Sequence, residues 1–364
     1  MPGLQRLPGF QKTSGSSGLR AAGATGRSDA AASTDHIGAA TVTNGSGAAA
    51  ATDRIGNIGV AAATNSIGAA GAIGGSGAIG SIDVIEAQHS DPGAGVLDDS
   101  HRGYMNFGLW EGATDYASAA ERLVERLGLA LELAPGARVI DAACGRGSQD
   151  LYLLRRFGAL SIDALDVTRN NIELALAQAA SCAGPGELRF HHASATRLPF
   201  PDASFSHAIC VEAAHHFDTR EAYLREAHRV LVPGGRIALA DITMRRLPRT
   251  RTERALVDAA TALWGIPRAN VVTVEGYRAM FARIGFRITA IEEVSARTFP
   301  GYYEAQRTAA RRRELIASRG RIGAMVGAVM NFAAHRVYRA GLLDYLLVSA
   351  VKPNSEHGGG DDGG

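Results

Sequence analysis

The stretch VIDAACGRGSQDLYLL, residues 139–154, constrains the fold of this chain more than any other. Apolar residues typical of a buried strand run into Asp141, a turn of small residues and glycines follows, and a helical pattern then resumes. Gly145 and Gly147 allow backbone torsions and a close ligand approach that a Cβ would obstruct. A strand, a glycine-rich turn and a helix N-terminus therefore predict a concave backbone site for a ligand.

Strand-like and helical patterns alternate after this turn. Strands are predicted at 137–142, 161–166, 187–192, 206–212, 235–241, 285–293 and 343–351, and helices at 148–157, 168–181, 219–231 and 273–284. Such alternation implies a mostly parallel sheet with right-handed crossovers. The predicted fold class is α/β, a doubly wound and mostly parallel seven-stranded sheet.

Composition divides the chain into three parts. Residues 1–97 hold 40 Gly plus Ala and one aromatic residue, Phe10, too little apolar surface to offset the entropy of ordering the segment. We expect a disordered extension at 1–97, one α/β domain at 98–353 and a disordered tail at 354–364. Within the domain, 104–133 is predicted to form a lid and an N-terminal helix, and 300–340 a helical cap inserted before the last strand.

Charge and cysteine usage limit the partners and the compartment. A net charge of +2 gives no reason to expect nucleic acid. Cys144, Cys182 and Cys210 are too few and too scattered for a disulfide framework or a zinc site, which favours a reduced cytoplasm. The first residues lack the pattern of a secretory signal, and no 18-residue apolar run predicts a membrane span. We expect a cytoplasmic protein.

An acidic residue closes the next predicted strand. Asp166 follows Gly147 by 19 residues, and a carboxylate there can bind two ribose hydroxyls. Gln149 and Asp150 fall in the first turn of the helix, where an acid would repel a pyrophosphate. The pattern is therefore less favourable to a nicotinamide dinucleotide than to a nucleoside ligand without phosphates. The dinucleotide oxidoreductase, and a protein that binds the nucleoside without reaction, are the alternatives.

Residues 101–353 resemble the class I methyltransferases that use S-adenosylmethionine. VIDAACGRG resembles their first motif with Ala143 in place of a glycine, and ALDVTRNNIELA resembles the second with Asp166 as the ribose acid. ASATRLPFPDASFSHAICVEAAHHF is similar to the segment through the third and fourth strands, with Ser194 where an adenine-contacting Asp is usual. REAHRVLVPGGRIALADI is similar to the stretch before and within the fifth strand.

The resemblance implies S-adenosyl-L-methionine as the cofactor. The predicted cofactor-binding residues are Asp141, Ala143, Gly145, Gly147, Asp166, Val167, Ser194, Ala195, Glu212, Tyr104 and Trp110. Tyr104 and Trp110 belong to the aromatic segment GYMNFGLWEGATDY, which resembles the lid of the family. Aromatic faces attract cations such as a sulfonium, and packing of the N-terminal helix onto the sheet is the alternative role for these rings.

The predicted catalytic residues are two adjacent histidines and one aspartate. His215 and His216 follow the fourth strand of the resembled fold, and Asp241 closes the fifth. Histidine accepts a proton near neutral pH, and Asp241 would orient whichever histidine acts. Histidine, aspartate and glutamate (here Glu212) are also residue types that bind metal ions. Two adjacent histidines, however, rarely coordinate the same ion, and hard ions prefer carboxylate oxygens. No metal is predicted. The pair His191-His192 is interpreted as a strand-edge feature.

The predicted reaction is methyl transfer to a small-molecule hydroxyl, on a natural product or a sugar. The alternative is C- or N-methylation of a lipid, quinone or amine. Segments 242–272 and 300–340 are expected to cap the acceptor, and their apolar residues suggest a bulky, partly apolar molecule. The arginine-rich run at 307–321 is typical of a solvated face, and attraction to an anionic acceptor or a membrane surface is its alternative role.

Overall fold

The computed structural model describes residues 102–180, 182 and 186–354, together with the backbone of 41–43. Apart from 41–43 and Asn354, the predicted N-terminal extension and C-terminal tail lie outside the described residues. The exception within the extension is a three-residue strand, where the sequence predicted none.

Eight strands and eight helices make up the described part of the chain. The strands are β1 Thr41–Thr43, β2 Arg138–Ala142, β3 Leu160–Asp166, β4 Gly186–His192, β5 Phe205–Val211, β6 Leu231–Met244, β7 Arg287–Glu293 and β8 Leu343–Val351. The helices are α1 Tyr116–Ala130, α2 Ser148–Phe157, α3 Arg169–Ala180, α4 Arg220–Val230, α5 Arg251–Leu263, α6 Val274–Ile284, α7 Ser295–Gln306 and α8 Ala309–Arg339. Short 3₁₀ turns lie at Ala214–His216 and Arg268–Asn270.

The strands form one sheet in the order β1-β4-β3-β2-β5-β6-β8-β7. The pairs from β4 through β6 are parallel, whereas β8 runs antiparallel to both of its neighbours and β1 antiparallel to β4. The order reverses at β2 and β5, and open α/β sheets bind ligands in the crevice at such a switch point. The predicted seven-stranded, mostly parallel sheet is confirmed, with β1 as an added edge.

The parallel strands are buried because helices cover both faces of the sheet. Ile162 and Ile209 point to a core shared with α1, and Leu239 to a second core shared with α4 and α6. All three side chains are fully buried, and each contributes about 1.5–3 kcal/mol by leaving water. The near-continuous apolar runs of β5 and β6 follow from this two-sided burial.

Helix α1 begins at a well-formed cap and ends earlier than predicted. Asp115 accepts from the backbone N–H of Ser118, and the Ser118 hydroxyl accepts from the Asp115 N–H, so two N–H groups at the helix start are satisfied. The helix was predicted to continue to residue 133, but Glu132 takes a left-handed backbone with φ 57°. The chain turns there to enter β2.

Two helical segments leave the sheet at its carboxyl edge. The segment with α5 departs after Met244, whose N–H donates to Val272 O at 2.8 Å where the chain returns. The segment with α7 and α8 begins at Val294, whose N–H donates to Tyr345 O at 2.8 Å. The N–H of Arg245 donates to Leu342 O at 2.8 Å and joins the two segments. The ends of both are thus fixed above β6 and β8.

Candidate active site

The glycine turn between β2 and α2 is held in a left-handed conformation. Ala143, Gly145 and Gly147 have φ values of 67°, 55° and 78°. An added Cβ on Gly147 would lie 2.7 Å from Cζ of Phe190, so glycine is required there by space as well as by torsion. Ala143 adopts the strained conformation despite its Cβ, at a cost of about 1–2 kcal/mol.

Asp166 connects the end of β3 to the glycine turn. Its Oδ2 accepts from the Gly145 N–H at 3.0 Å, and its Oδ1 accepts from the Thr168 N–H at 2.8 Å and from Asn171 Nδ2 at 3.2 Å. Asp166 also lines a cavity beside the turn. Burial raises the pKa of Asp166, and hydrogen bonds from Thr168, Asn171 and Gly145 oppose that rise.

Asp141 and Asp150 form a buried carboxyl pair beneath the turn. Both are fully buried, and Gln149 Nε2 donates to Asp141 Oδ2 at 2.5 Å. Burial and the nearby Asp141 charge raise the pKa of Asp150 well above its usual value, and burial raises that of Asp141 to about 6. Asp150 is buried and does not line the cavity, so its carboxyl does not face a ligand there. Asp141 supports the turn from below and does not line the cavity.

A cavity of about 390 Å³ opens beside the turn. Its walls come from the segment at 103–107, the turn, the ends of β3 and β5, and the α5, α7 and α8 segments. Of the predicted residues it is lined by Tyr104, Ala143, Gly145, Asp166, Val167, Ser194, Ala195, Glu212, His215 and His216. Left-handed backbone at the turn, a ribose-type acid and a cavity within the range of small-molecule sites fit an adenosine-based cofactor.

The segment before α1 closes one side of the cavity. Tyr116 Oη donates to Asn106 O at 2.5 Å, and Ser148 Oγ donates to Arg102 O at 2.7 Å. The Phe107 ring stacks on Tyr302 of α7 with centroids 4.1 Å apart. These contacts fasten the segment to α1, to α2 and to the cap helix α7.

Trp110 is turned away from the cavity lining. Its Nε1 donates to Phe107 O at 2.8 Å, and its ring packs against the Cα of Gly301, where an added Cβ would lie 2.2 Å from it. The structure therefore places Trp110 in the packing between the lid and α7. Gly147 also does not line the cavity, because it packs against Phe190.

Glu212 closes the end of β5 with an acidic side chain in an apolar setting. Its Oε2 accepts from the Phe107 N–H at 2.6 Å and from Tyr345 Oη at 2.5 Å. Its backbone is left-handed, with φ 58°. Burial raises the pKa of Glu212 to about 8, so the side chain is mostly neutral at pH 7. It fixes the lid segment to the sheet.

His215 and Asp241 are brought together as the sequence suggested. His215 Nδ1 lies 2.9 Å from Asp241 Oδ1, and both side chains are buried. Because Nδ1 is engaged by the carboxylate, Nε2 is the nitrogen left for the cavity that His215 lines. The His216 ring lies 4.1 Å from that of His215 and also lines the cavity.

The carboxylate of Asp241 is shared with a buried arginine that the sequence did not reveal. Arg220 is fully buried, and its Nε donates to Asp241 Oδ2 at 2.7 Å. Tyr277 Oη donates to the same oxygen at 2.9 Å, and Asn270 Oδ1 accepts from the Arg220 N–H. Burial alone would raise the pKa of Asp241, but Arg220 and His215 outweigh it and hold the pKa below its usual value.

The second histidine pair lies elsewhere, at the end of β4. His191 Nε2 is 2.8 Å from Asp163 Oδ1, and His192 Nε2 is 2.9 Å from Val167 O. Neither histidine lines the cavity. Across the part of the chain that the structure describes, no three His, Cys, Asp or Glu side chains are placed to hold a metal ion. Among those same residues, no helix combines the length and apolar character needed to cross a membrane.

Comparisons with known proteins agree with this geometry. A family model described as "Methyltransferase domain" matches residues 139–235. The chain is 30% identical to methyltransferase GfsG of Streptomyces halstedii, over 54% of this chain and 70% of GfsG. It is also 30% identical to 27-O-demethylrifamycin SV methyltransferase of Amycolatopsis mediterranei, over 59% of this chain and 78% of that protein.

The fold is shared with solved structures at lower identity. The cyclopropane synthase MmaA2 of Mycobacterium tuberculosis superimposes with a TM-score of 0.64 at 19% identity, over 75% of this chain and 98% of MmaA2. The sheet order and the glycine turn agree with a class I methyltransferase fold. The chain belongs to the S-adenosylmethionine-dependent methyltransferases, and it is an enzyme that methylates small molecules with that cofactor.

Proposed function

We propose that the enzyme methylates a hydroxyl group of a natural product or sugar, with His215 as the general base. The observation that carries the proposal is the 2.9 Å contact between His215 Nδ1 and Asp241 Oδ1 at the wall of the cavity. A hydroxyl is a poor nucleophile until its proton is removed, whereas a neutral amine needs little help. A held histidine is therefore most useful to O-methylation.

The buried network sets the proton positions before the reaction. Arg220 and Tyr277 keep Asp241 ionised, and Asp241 accepts the Nδ1 proton of His215. The neutral imidazole then carries its lone pair on Nε2, where it can accept the hydroxyl proton. The positive charge that forms on the ring is stabilised by the adjacent carboxylate. S-adenosylmethionine, when bound, supplies an activated methyl group to the oxygen.

The cofactor half of the cavity follows from residues already described. We assign Asp166 to a ribose hydroxyl, and Ser194 and Ala195, which line the same cavity, to the adenine. The left-handed turn at Gly145 lets the backbone approach the ligand closely. The lid segment, fastened through Phe107 to Glu212, excludes water from the reacting atoms.

The acceptor half of the cavity is formed by the cap. Trp264, Tyr302, Leu315 and Met330 contribute its apolar surface. Its polar surface comes from Gln306, Arg311, Ser318, Arg319 and Asn331. Ring contacts between Phe107 and both Trp264 and Tyr302 hold this wall in place. A wall of this kind suits a bulky and partly apolar acceptor, and one relative is named a 27-O-demethylrifamycin SV methyltransferase.

The test compares His215→Gln and His216→Gln with His191→Gln as a matched control outside the cavity. Hydroxylated polyketide and sugar acceptors would be assayed with a radiolabelled methyl donor. We expect His215→Gln to lower kcat by about 10²–10⁴-fold, with calorimetric affinity for S-adenosylhomocysteine nearly unchanged. Full activity in His215→Gln would refute the role of base. Transfer to carbon or to an amine by His215→Ala/His216→Ala would favour the alternative chemistry.

A further inference from the structure

The second half of α8 is apolar on two opposite sides. The helix is interrupted at Gly320, where φ is 69° and ψ 174°, and continues from Arg321. One side packs Ala324 and Val337 into the protein and contributes Met330 to the cavity wall. A helix with apolar residues all round is normally buried on every side. Here only one side is covered.

The uncovered side forms a continuous apolar stripe that we name the outer face of α8. It consists of Ile322, Met325, Val326, Val329 and Phe332, which are between 44% and 75% exposed. Their spacing of three and four residues places them in one row along the helix. Soluble monomers rarely expose a contiguous apolar patch of this kind unless it binds a partner.

Arginines lie at both ends of the outer face along α8, and no acidic residue lies between them. Residues 321–339 contain three arginines, Arg321, Arg336 and Arg339, and no acidic residue. All three are exposed, as are Arg312 and Arg313 before the break. None of these five forms an ion pair with another described residue. The net charge of the whole chain is only +2, so this surface is an unusually concentrated positive region.

We propose that the outer face of α8 docks on an anionic phospholipid surface. An amphipathic helix with large apolar residues beside arginines lies in the headgroup region with its apolar side among the acyl chains. Arginines near such a surface add to binding by attraction to anionic lipids. The cavity wall is formed by the opposite side of the same helix, so docking would bring the cap of the active site close to the lipid surface.

Two other occupants fit the charges less well. A second copy packed along α8 would bring arginines against arginines, because the whole helix from Ala309 to Arg339 contains one acidic residue, Glu314. The chain's own residues 1–97 hold six acidic and five basic residues, so they offer no concentrated negative charge. A lipid surface with anionic headgroups complements both the apolar stripe and the arginines.

The test is co-sedimentation of the full-length enzyme with two kinds of vesicle. One contains phosphatidylglycerol mixed with phosphatidylcholine, and the other contains phosphatidylcholine alone. We expect binding to the anionic vesicles that weakens as salt is added, because ions screen the arginines. Arg321→Gln and Arg336→Gln should each weaken binding about fivefold.

A second variant pair separates the apolar contribution from general surface effects. Ile322→Glu/Val329→Glu should weaken vesicle binding by about tenfold or more. Leu129→Glu on α1, at a side chain that is also half exposed, should leave binding unchanged. Thermal unfolding of each variant verifies that the fold is retained. The outcome does not depend on the acceptor proposed above.

Three results would overturn the proposal. The first is an absence of binding to anionic vesicles at low salt by the wild-type enzyme. The second is a dimer in light scattering that Phe332→Glu converts to a monomer, which would make a second copy the occupant. The third is a photo-crosslinker at Met325 that reacts with residues 1–97 of the same chain, which would make that segment the occupant.

Discussion

Asp241→Asn offers the sharpest test of the buried network behind the active site. The aspartate Oδ1 accepts from His215 and from the Ile242 N–H, and its Oδ2 accepts from Arg220 and Tyr277. An asparagine keeps the shape of the side chain but turns one oxygen into a donor. If the amide nitrogen replaces Oδ2, it faces the N–H of Arg220 and the hydroxyl of Tyr277, which are both donors. The fully buried guanidinium of Arg220 also loses the negative charge that balances it.

The expected loss of stability is large. Removing one partner of a buried ion pair costs about 3–5 kcal/mol, which is a sizeable part of the 5–15 kcal/mol that holds typical domains folded. Tyr277→Phe is the control, because it removes one hydrogen bond and leaves the charges paired. It should cost about 1 kcal/mol. Urea unfolding at pH 7 followed by circular dichroism measures both.

The pH dependence adds an independent check. The folded pKa of Asp241 is held below its usual value, so the stability it contributes is present above the unfolded pKa of about 3.9 and is lost as the pH falls below it. The gap between wild type and Asp241→Asn should therefore be constant above about pH 5 and narrow in acid. A difference in the free energy of unfolding below about 1 kcal/mol at pH 7, or one that does not change with pH, would contradict the prediction. It would show that Asp241 is not the main counter-charge of Arg220.

Three further predictions follow from single contacts. Burial raises the folded pKa of Glu212 to about 8, so wild type should lose more stability than Glu212→Gln as the pH rises from 5 to 8. Urea midpoints across that range measure the difference, and parallel curves for the two proteins would contradict the prediction. Asp166→Ala should weaken S-adenosylhomocysteine binding about 10–100-fold by calorimetry, whereas Asp163→Asn on the same strand should leave it unchanged. Equal losses of affinity in the two variants would refute the proposed contact between Asp166 and the ribose. Gly147→Ala should lower the melting temperature more than Gly265→Ala, because both glycines have positive φ but only Gly147 has a neighbour within 4 Å. Equal decreases in melting temperature would mean that backbone strain alone, without the steric clash at Gly147, causes the destabilisation.

The fold was predictable because local patterns and sheet burial agree. Each predicted strand from 137 to 351 is present, and α2, α3, α4 and α6 lie where helical spacing indicated. The glycine turn at Gly145 and the acidic residue Asp166 could be recognised from the sequence, because each is a particular residue type at the end of a predicted strand. Asp241 was recognisable for the same reason, as an acid at the end of a buried strand.

The remaining features depend on contacts between distant segments. Arg220 is the first residue of an amphipathic helix, where arginine is usually exposed, and its partners lie 21 and 50 residues away. Asp150 was expected to face a ligand from the first turn of α2, but it is buried against Asp141 and does not line the cavity. Trp110 and Phe107 belong to the same aromatic segment, but Phe107 lines the cavity and Trp110 does not. Side-chain direction in a lid segment is set by the cap it meets.

The hydrogen bonds that pin the two helical segments have a consequence for how such enzymes diversify. The departure and return points of the α7–α8 segment are joined between Val294 and Tyr345, and those of the α5 segment between Met244 and Val272. With its ends fixed, doubling the length of such an excursion costs only about 0.6 kcal/mol of closure entropy. The acceptor wall can thus be exchanged between homologues as a module, leaving the nucleoside half untouched.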